Sequence, residues 1–434
     1  SQPAACQSRP MLSHSICMMP TAKIDQRRKA SHILPLIAAL LLGSSLPCGA
    51  AEDATARTAA GACATLAGLA SGGSGAPQLL ASFPTAGKGA LHATAFTYDN
   101  AAAVIALVGC GRPELARSVA DGLLAALNRD RYWHDGRLRN GYAAGPIGPG
   151  TVKLAGWWDD TKQVWVEDRS QVATDSGNMA WAMLALLAVY QAPGPSPYLK
   201  GAEQIGAWAA RQLDTRGAGG FTGGTFGHEP VPESLRWKST EHNTDLAAAF
   251  RRLAQLTGEP TWTRRAVAAE QLVAAMYDAN CQCFAAGTVN DGVTRNPALA
   301  LDAQVWPLLA IAGAATRYAA VVTTVQRRLR SGDGYLYSTA STSPWTEGTA
   351  QVSTLLGLLH RDAEAAKLLA AVSRQQAPEG YYAASASSIP TGFELDTAPG
   401  KPRLYLHLPH LGATAWAALA ERHYNPFTGA ASLP

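Results

Sequence analysis

Asp99, Asp175, Glu241, Asp245, Asp302 and Glu347 stand at the openings of five strongly apolar segments of this 434-residue chain. A sixth such segment opens at His410, with Tyr405 and His407 just before it. Any one of these acids would serve as a helix cap, and Asp175, between Thr174 and Ser176, suits that role best. Six acids brought to one place are harder to explain by capping, because Ser or Thr would cap without mutual repulsion. Carboxyl groups that converge raise one another's proton affinity, which separates a protonated acid from an ionised base.

The richest element is Trp237-Lys238-Ser239-Thr240-Glu241-His242-Asn243-Thr244-Asp245. With Thr240 as the cap, Glu241 and Asp245 lie four residues apart on one helical face. His242 is placed either to support a neighbouring acid or to sit satisfied in the core. Histidines at metal-binding spacing are absent, so neither a metal nor a cofactor is expected. Tyr98, Trp158, Trp165, Trp237, Trp345 and Tyr405 flank the acids. Aromatic faces stack on the C–H surface of sugar rings while carboxylates bind hydroxyls, so this company points to saccharide binding. No G-x-S-x-G element, P-loop or dinucleotide fingerprint is present, which disfavours serine hydrolases and nucleotide enzymes.

The elements that must position these residues fall into two kinds. Segments 54–70, 112–128, 199–213, 261–277, 316–330 and 361–375 have one apolar stripe and a charged or polar face, as surface helices do. The segments opening TYDNAAAVIALVG, TDSGNMAWAMLALLAVY, TEHNTDLAAAFRRLAQL, LDAQVWPLLAIAG, TEGTAQVSTLLGLL and HLGATAWAALA are apolar nearly all round. A helix without a hydrated face is buried on every side. The two kinds alternate six times, the pattern of a double ring. An open solenoid would show repeats of constant length, whereas the loops here are unequal and rich in Gly and Trp. Short hairpins are expected within those loops.

Composition sets the remaining bounds. Hydrophobic residues are 47% and charged residues 16%, which supplies a large core, and the net charge of +4 leaves no basic stripe for nucleic acid. Residues 1–51 read as a leader and secretory signal peptide. Basic residues from Lys23 to Lys29 precede the apolar run Ile33 to Leu42, and cleavage is expected near Ala50 or Ala51. That run is shorter than a bilayer span, so no stable membrane span is expected after cleavage, and the product is periplasmic or secreted. Residues 52–427 form the expected toroid and 428–434 a C-terminal tail. Export permits disulfides among Cys63, Cys110, Cys281 and Cys283. Cys281 and Cys283 are read as too close to pair with each other, and small buried hydrophobes are an equal reading for Cys63 and Cys110.

The buried-helix openings TYDNA, TDSGNMAWA, STEHNTDL, LDAQVW, WTEGTAQ and GATAW resemble those of bacterial (α/α)6-toroid glycoside hydrolases and their relatives among polysaccharide lyases and sugar epimerases. The resemblance is architectural, covers about residues 54–427 and transfers no catalytic role. It implies an all-α (α/α)6 fold, a poly- or oligosaccharide in the groove and hydrolysis with inversion by an acid and a base. On that basis Glu241 is expected to protonate the leaving oxygen, and Asp175, Asp302 or Glu347 to activate water. Asp99 and Asp245 hold hydroxyls or tune Glu241. Two alternatives stand beside it. One is a lyase or epimerase using Tyr405, His407, His410 or His242 as base. The other is a non-catalytic glycan-binding protein of an exopolysaccharide system.

Overall fold

The computed structural model describes residues 61–73, 75–190, 196–395 and 397–434. The leader and signal segment lies outside the described residues. Among them are thirteen α-helices: α1 Ala62–Ala70, α2 Thr97–Gly109, α3 Pro113–Asn128, α4 Ser176–Val189, α5 Pro197–Ala210, α6 Thr240–Thr257, α7 Pro260–Met276, α8 Leu301–Ala310, α9 Ala314–Arg317, α10 Ala320–Arg328, α11 Thr346–Leu358, α12 Asp362–Ser373 and α13 Leu411–Glu421. None of the described helices is long and apolar enough to cross a membrane.

The apolar helices pack in a cycle. α2 lies against α4, α4 against α6, α6 against α8, α8 against α11, α11 against α13, and α13 returns to α2. Each carries an amphipathic partner on its outer side: α3 on α2, α5 on α4, α7 on α6, α9 and α10 on α8, α12 on α11 and α1 on α13. In α4 and α11 nearly every residue is buried, as a helix enclosed on all faces requires. The centre of the cycle is filled by Trp181, Trp306 and Trp416, with Phe427 against the first two at 5.3 and 5.6 Å. The segment after Phe427 is fastened back, with Asn425 donating to Leu309 O and Ser432 O.

One device recurs six times. The fourth residue of each inner helix accepts a hydrogen bond from a buried backbone N–H in a connecting segment. Asn100 accepts from Leu80, Asn243 from Phe221 and Gln304 from Phe284. Thr349 accepts from Tyr335, Thr414 from Tyr381, and the Met179 sulfur from Leu138. Three of these are amides that also donate to the carbonyl of the same residue, so both backbone groups are satisfied away from water.

Short antiparallel strand pairs occupy the connections, which makes the described chain mixed in detail, not purely helical. The longest pairs Ile389–Leu395 with Ala398–Tyr405, and Ser338 and Ser341 donate to its carbonyls at Thr391 and Pro390. Two sequence expectations are corrected. Segment 316–330 is broken into α9 and α10, because Tyr318 turns inward to pack on Tyr277 and Phe284 at 4.6 and 5.0 Å. Cys281 does bond Cys283, since Gln282 adopts φ +54° and closes a tight turn, and Cys63 bonds Cys110.

Candidate active site

The N-termini of the inner helices converge at one end of the cycle, and most of the acids meet there. His410 caps α13, its Nδ1 accepting from Ala413 N, so its Nε2 carries the proton and faces Asp99 Oδ2 at 3.1 Å. Its ring stacks on Phe83 at 4.7 Å. Glu347 Oε2 lies 3.8 Å from His410 Nδ1, and Glu347 Oε1 accepts from the Tyr98 hydroxyl at 2.6 Å. Tyr98 in turn accepts from the Trp416 indole at 2.7 Å. Asp99 Oδ1 and Glu347 Oε2 have no hydrogen-bond partner among the described residues. Both approach Gly412, where a Cβ would fall 2.7 Å from the first and 3.1 Å from the second.

A second group faces this one. Glu241 and Asp302 are hydrogen-bonded side chain to side chain, a bond that favours the ionised form of Asp302. Asp302 Oδ1 also accepts from Ala303 N at 2.7 Å. Asp245 lies one turn deeper, beside Asp302 and the Trp181 indole. Ser239, one residue before the expected cap, accepts from His242 N and starts α6. His242 Nδ1 lies 3.2 Å from Ser176 Oγ, which joins the N-termini of α4 and α6. Asp175 precedes α4 without a capping hydrogen bond from its side chain, and its backbone N–H is held by Asn140.

Burial sets the protonation of these groups. It raises Glu347 to about 7; His410 and the Tyr98 hydroxyl oppose the rise while Asp99 and Asp302 add to it. Burial raises Asp302 to about 6, held back by the Ala303 N–H, Glu241 and the Arg403 charge. Asp245 is pushed well above the carboxylate range by burial and by Asp302. Burial, then Arg403, lowers His242 to about 3, leaving a neutral imidazole. For His410 burial opposes the charge, yet Asp99 and Glu347 outweigh it and raise the ring above its ordinary value. Arg403, buried on strand Ala398–Tyr405, was invisible to sequence reasoning because its hairpin falls in a loop between helices. The strand's other cation, Lys401, is exposed, so nothing in the sequence singled out Arg403.

The aromatic candidates separate. Tyr98 belongs to the acid cluster. Trp345 is fully buried against Tyr337 and Tyr405, and Trp237 is buried over Gly223 and beside His242. Trp158 and Trp165 lie outside the cluster on an exposed hairpin. His407 stacks on Tyr382 and faces Ala384 O. Among the described residues no group of three or more His, Cys, Asp or Glu side chains is arranged to hold a metal ion.

No protein-family model and no curated protein matches this chain. Solved structures do share its fold. A glycosidase in complex with glucose aligns with TM-score 0.55 at 12% identity over 83% of this chain and 95% of that one. A family 76 α-mannanase from Bacteroides thetaiotaomicron gives 0.50 at 12% identity, covering 83% and 93%. A cellobiose 2-epimerase from Bacillus thermoamylovorans gives 0.50 at 10% identity, covering 76% and 88%. At such identities the likeness is one of fold.

Proposed function

We propose that this protein is an exported glycoside hydrolase with an (α/α)6 toroid spanning residues 52–427, which cleaves a poly- or oligosaccharide by carboxylate acid/base catalysis with inversion. The carrying observation is the pair of facing carboxyl groups. Glu347 is buried, raised to about 7 and presents a free Oε2, while Asp302 is held lower by an N–H and a cation. Glu347 is the acid that protonates the glycosidic oxygen. The Glu241–Asp302 unit is the base that activates water. This reverses the role expected for Glu241, because a carboxyl bonded to Asp302 belongs to the same pole as Asp302. Inversion requires the poles to stand about 6.5–9.5 Å apart across the bound sugar. Asp99, polarised by His410, holds a sugar hydroxyl. The two disulfides support export to an oxidising, periplasmic or extracellular compartment.

The test is hydrolysis of α-mannans, β-glucans and bacterial exopolysaccharides, with products read by mass and anomeric configuration. Glu347→Gln and Asp302→Asn should each abolish release of sugar while the far-ultraviolet circular dichroism is unchanged. Full turnover in either variant removes that residue from its role. A lyase or epimerase reading is favoured by two observations, the buried Arg403 and the His410–Asp99 pair, which supply a cation and a base. An unsaturated, ultraviolet-absorbing product, or an epimer without chain shortening, would select it.

A further inference from the structure

Trp158 and Trp165 are 51% and 56% exposed, although they are the largest side-chain type. They stand directly opposite each other in the antiparallel pair Trp157–Asp159 with Val164–Val166. Directly opposed residues project from the same face of the ladder, so the two indoles form one surface. The alternate pair, Trp157 and Val166, is half-buried on the other face. A Cβ at Gly156 would fall 2.6 Å from Trp165 Nε1 and 2.7 Å from its Cε2. The Trp165 ring therefore rests on bare backbone, with the rest of it left to solvent.

The hairpin is braced. Asp159 accepts from the Thr161 and Lys162 N–H groups at 3.0 Å each, and Gln163 takes φ +55° to close the turn. Just past the second strand, Glu167 pairs with both terminal nitrogens of Arg131 at 2.7 Å, and Arg131 reaches on to Glu229. Glu229 also pairs with the fully buried Arg139–Asp130 couple. Rigid support of this kind spares a binding surface the entropy of ordering it.

We propose that the Trp158–Trp165 face is an outlying binding platform for a polysaccharide chain that continues into the carboxylate cluster. The proposal rests on the glycosidase reading and names its substrate as a polymer. Two features select a glycan over a protein partner. Asp160, Thr161, Lys162 and Gln163, all exposed, form the turn between the two tryptophans and bring carboxylate, hydroxyl, ammonium and amide groups to the tip of the hairpin, as hydroxyl-bearing rings require. The platform is also tied by covalent continuity to the site, since eight residues separate Val166 from Asp175 at the start of α4, a reach of at most about 30 Å.

The experiment uses the whole protein with Glu347→Gln, run through native gels containing soluble α-mannan or β-glucan, with and without Trp158→Ala/Trp165→Ala. Retardation by one of these glycans that weakens at least about tenfold in the double Trp variant is expected. With Glu347 intact, the ratio of polymer to short-oligosaccharide kcat/KM should fall by a similar factor, mainly through the polymer KM. Retardation equal in both proteins overturns the proposal, as does a lack of retardation by either glycan. An unchanged ratio overturns it too. A shift from dimer to monomer in the Trp variant with glycan retardation intact would assign the face to a second copy instead. Persistent hydrolysis by Glu347→Gln would sink the catalytic reading alone, since retardation needs no turnover.

Discussion

Tyr98 donates its hydroxyl proton to Glu347 Oε1 at 2.6 Å and accepts one from the Trp416 indole at 2.7 Å, so three inner helices are joined through one phenol. The ring is fixed from the side by Trp181 at 5.0 Å. The bond favours the ionised carboxylate and so opposes the rise that burial imposes on Glu347. Tyr98→Phe keeps the packing and removes the bond. Glu347 should then rise further above 7, and the limb of the kcat/KM profile that it governs should move to higher pH. Turnover should drop at least about tenfold, within the range that general acid–base groups contribute. An unmoved limb would mean that Glu347 is not the group titrating.

The same carboxyl makes stability depend on pH. Glu347 is raised from 4.5 to about 7 and Asp302 from 3.8 to about 6, so the folded state binds these protons more tightly than the unfolded chain. Their protonated forms are fully compatible with burial below about pH 4. As pH rises through 4 to 7 the unfolded chain ionises first, and stability is lost. Glu347→Gln fixes the neutral form while leaving Tyr98 an oxygen to bond. The variant should match the parent in Tm near pH 4.5 and exceed it at pH 8, by up to about 3 kcal/mol in stability. Parallel Tm curves across that range would rule out the buried, raised carboxyl.

How far these arrangements could be read from sequence depends on what each residue type reports. Helices such as α4 and α11 were legible because a segment with no hydrated face has only one kind of home. The meeting of Asp99, Glu347 and His410 followed from ring closure, although 311 residues separate Asp99 from His410. The pairing of Glu241 with Asp302 was not legible, since a helix opening fixes a carboxyl's level but not its neighbour. Trp158 and Trp165 beside acids suggested the cleft, but adjacency in sequence does not tell which face of a hairpin meets solvent. The fourth-position device escaped notice because Asn100, Met179, Gln304 and Thr414 share a function and no chemistry beyond an acceptor atom. Gln282 gave no sign that it would adopt a left-handed conformation, which is what lets Cys281 and Cys283 bond.

Gly412 is where the acid cluster tolerates no side chain. A Cβ there would fall 2.7 Å from both Asp99 Oδ1 and His410 Cε1. These groups are held by helices α2 and α13 and have no slack in a packed interior. Gly412→Ala should displace His410 from Asp99, cost about 1–3 kcal/mol by overpacking and depress activity more than stability explains. Gly68→Ala, in helix α1 with open space around it, is the matched control and should be neutral or mildly stabilising. Equal behaviour of the two variants would refute the close contact.

The two disulfides should differ sharply in worth. Cys63–Cys110 spans 47 residues and ties α1, the outer partner of α13, to the end of α2. Closing a loop of that length removes about 4 kcal/mol of chain entropy from the unfolded state, whereas the two-residue span of Cys281–Cys283 removes about 1 kcal/mol. Cys63→Ala/Cys110→Ala should therefore lower the midpoint of urea unfolding markedly and loosen the α1–α13 contact. Cys281→Ser/Cys283→Ser should shift it little, its main effect being freedom in the turn at Gln282. Hydrogen exchange would place the first effect in α1 and α13, where the ring is joined. Comparable midpoint losses from both pairs would show that native contacts, not loop entropy, set their contribution.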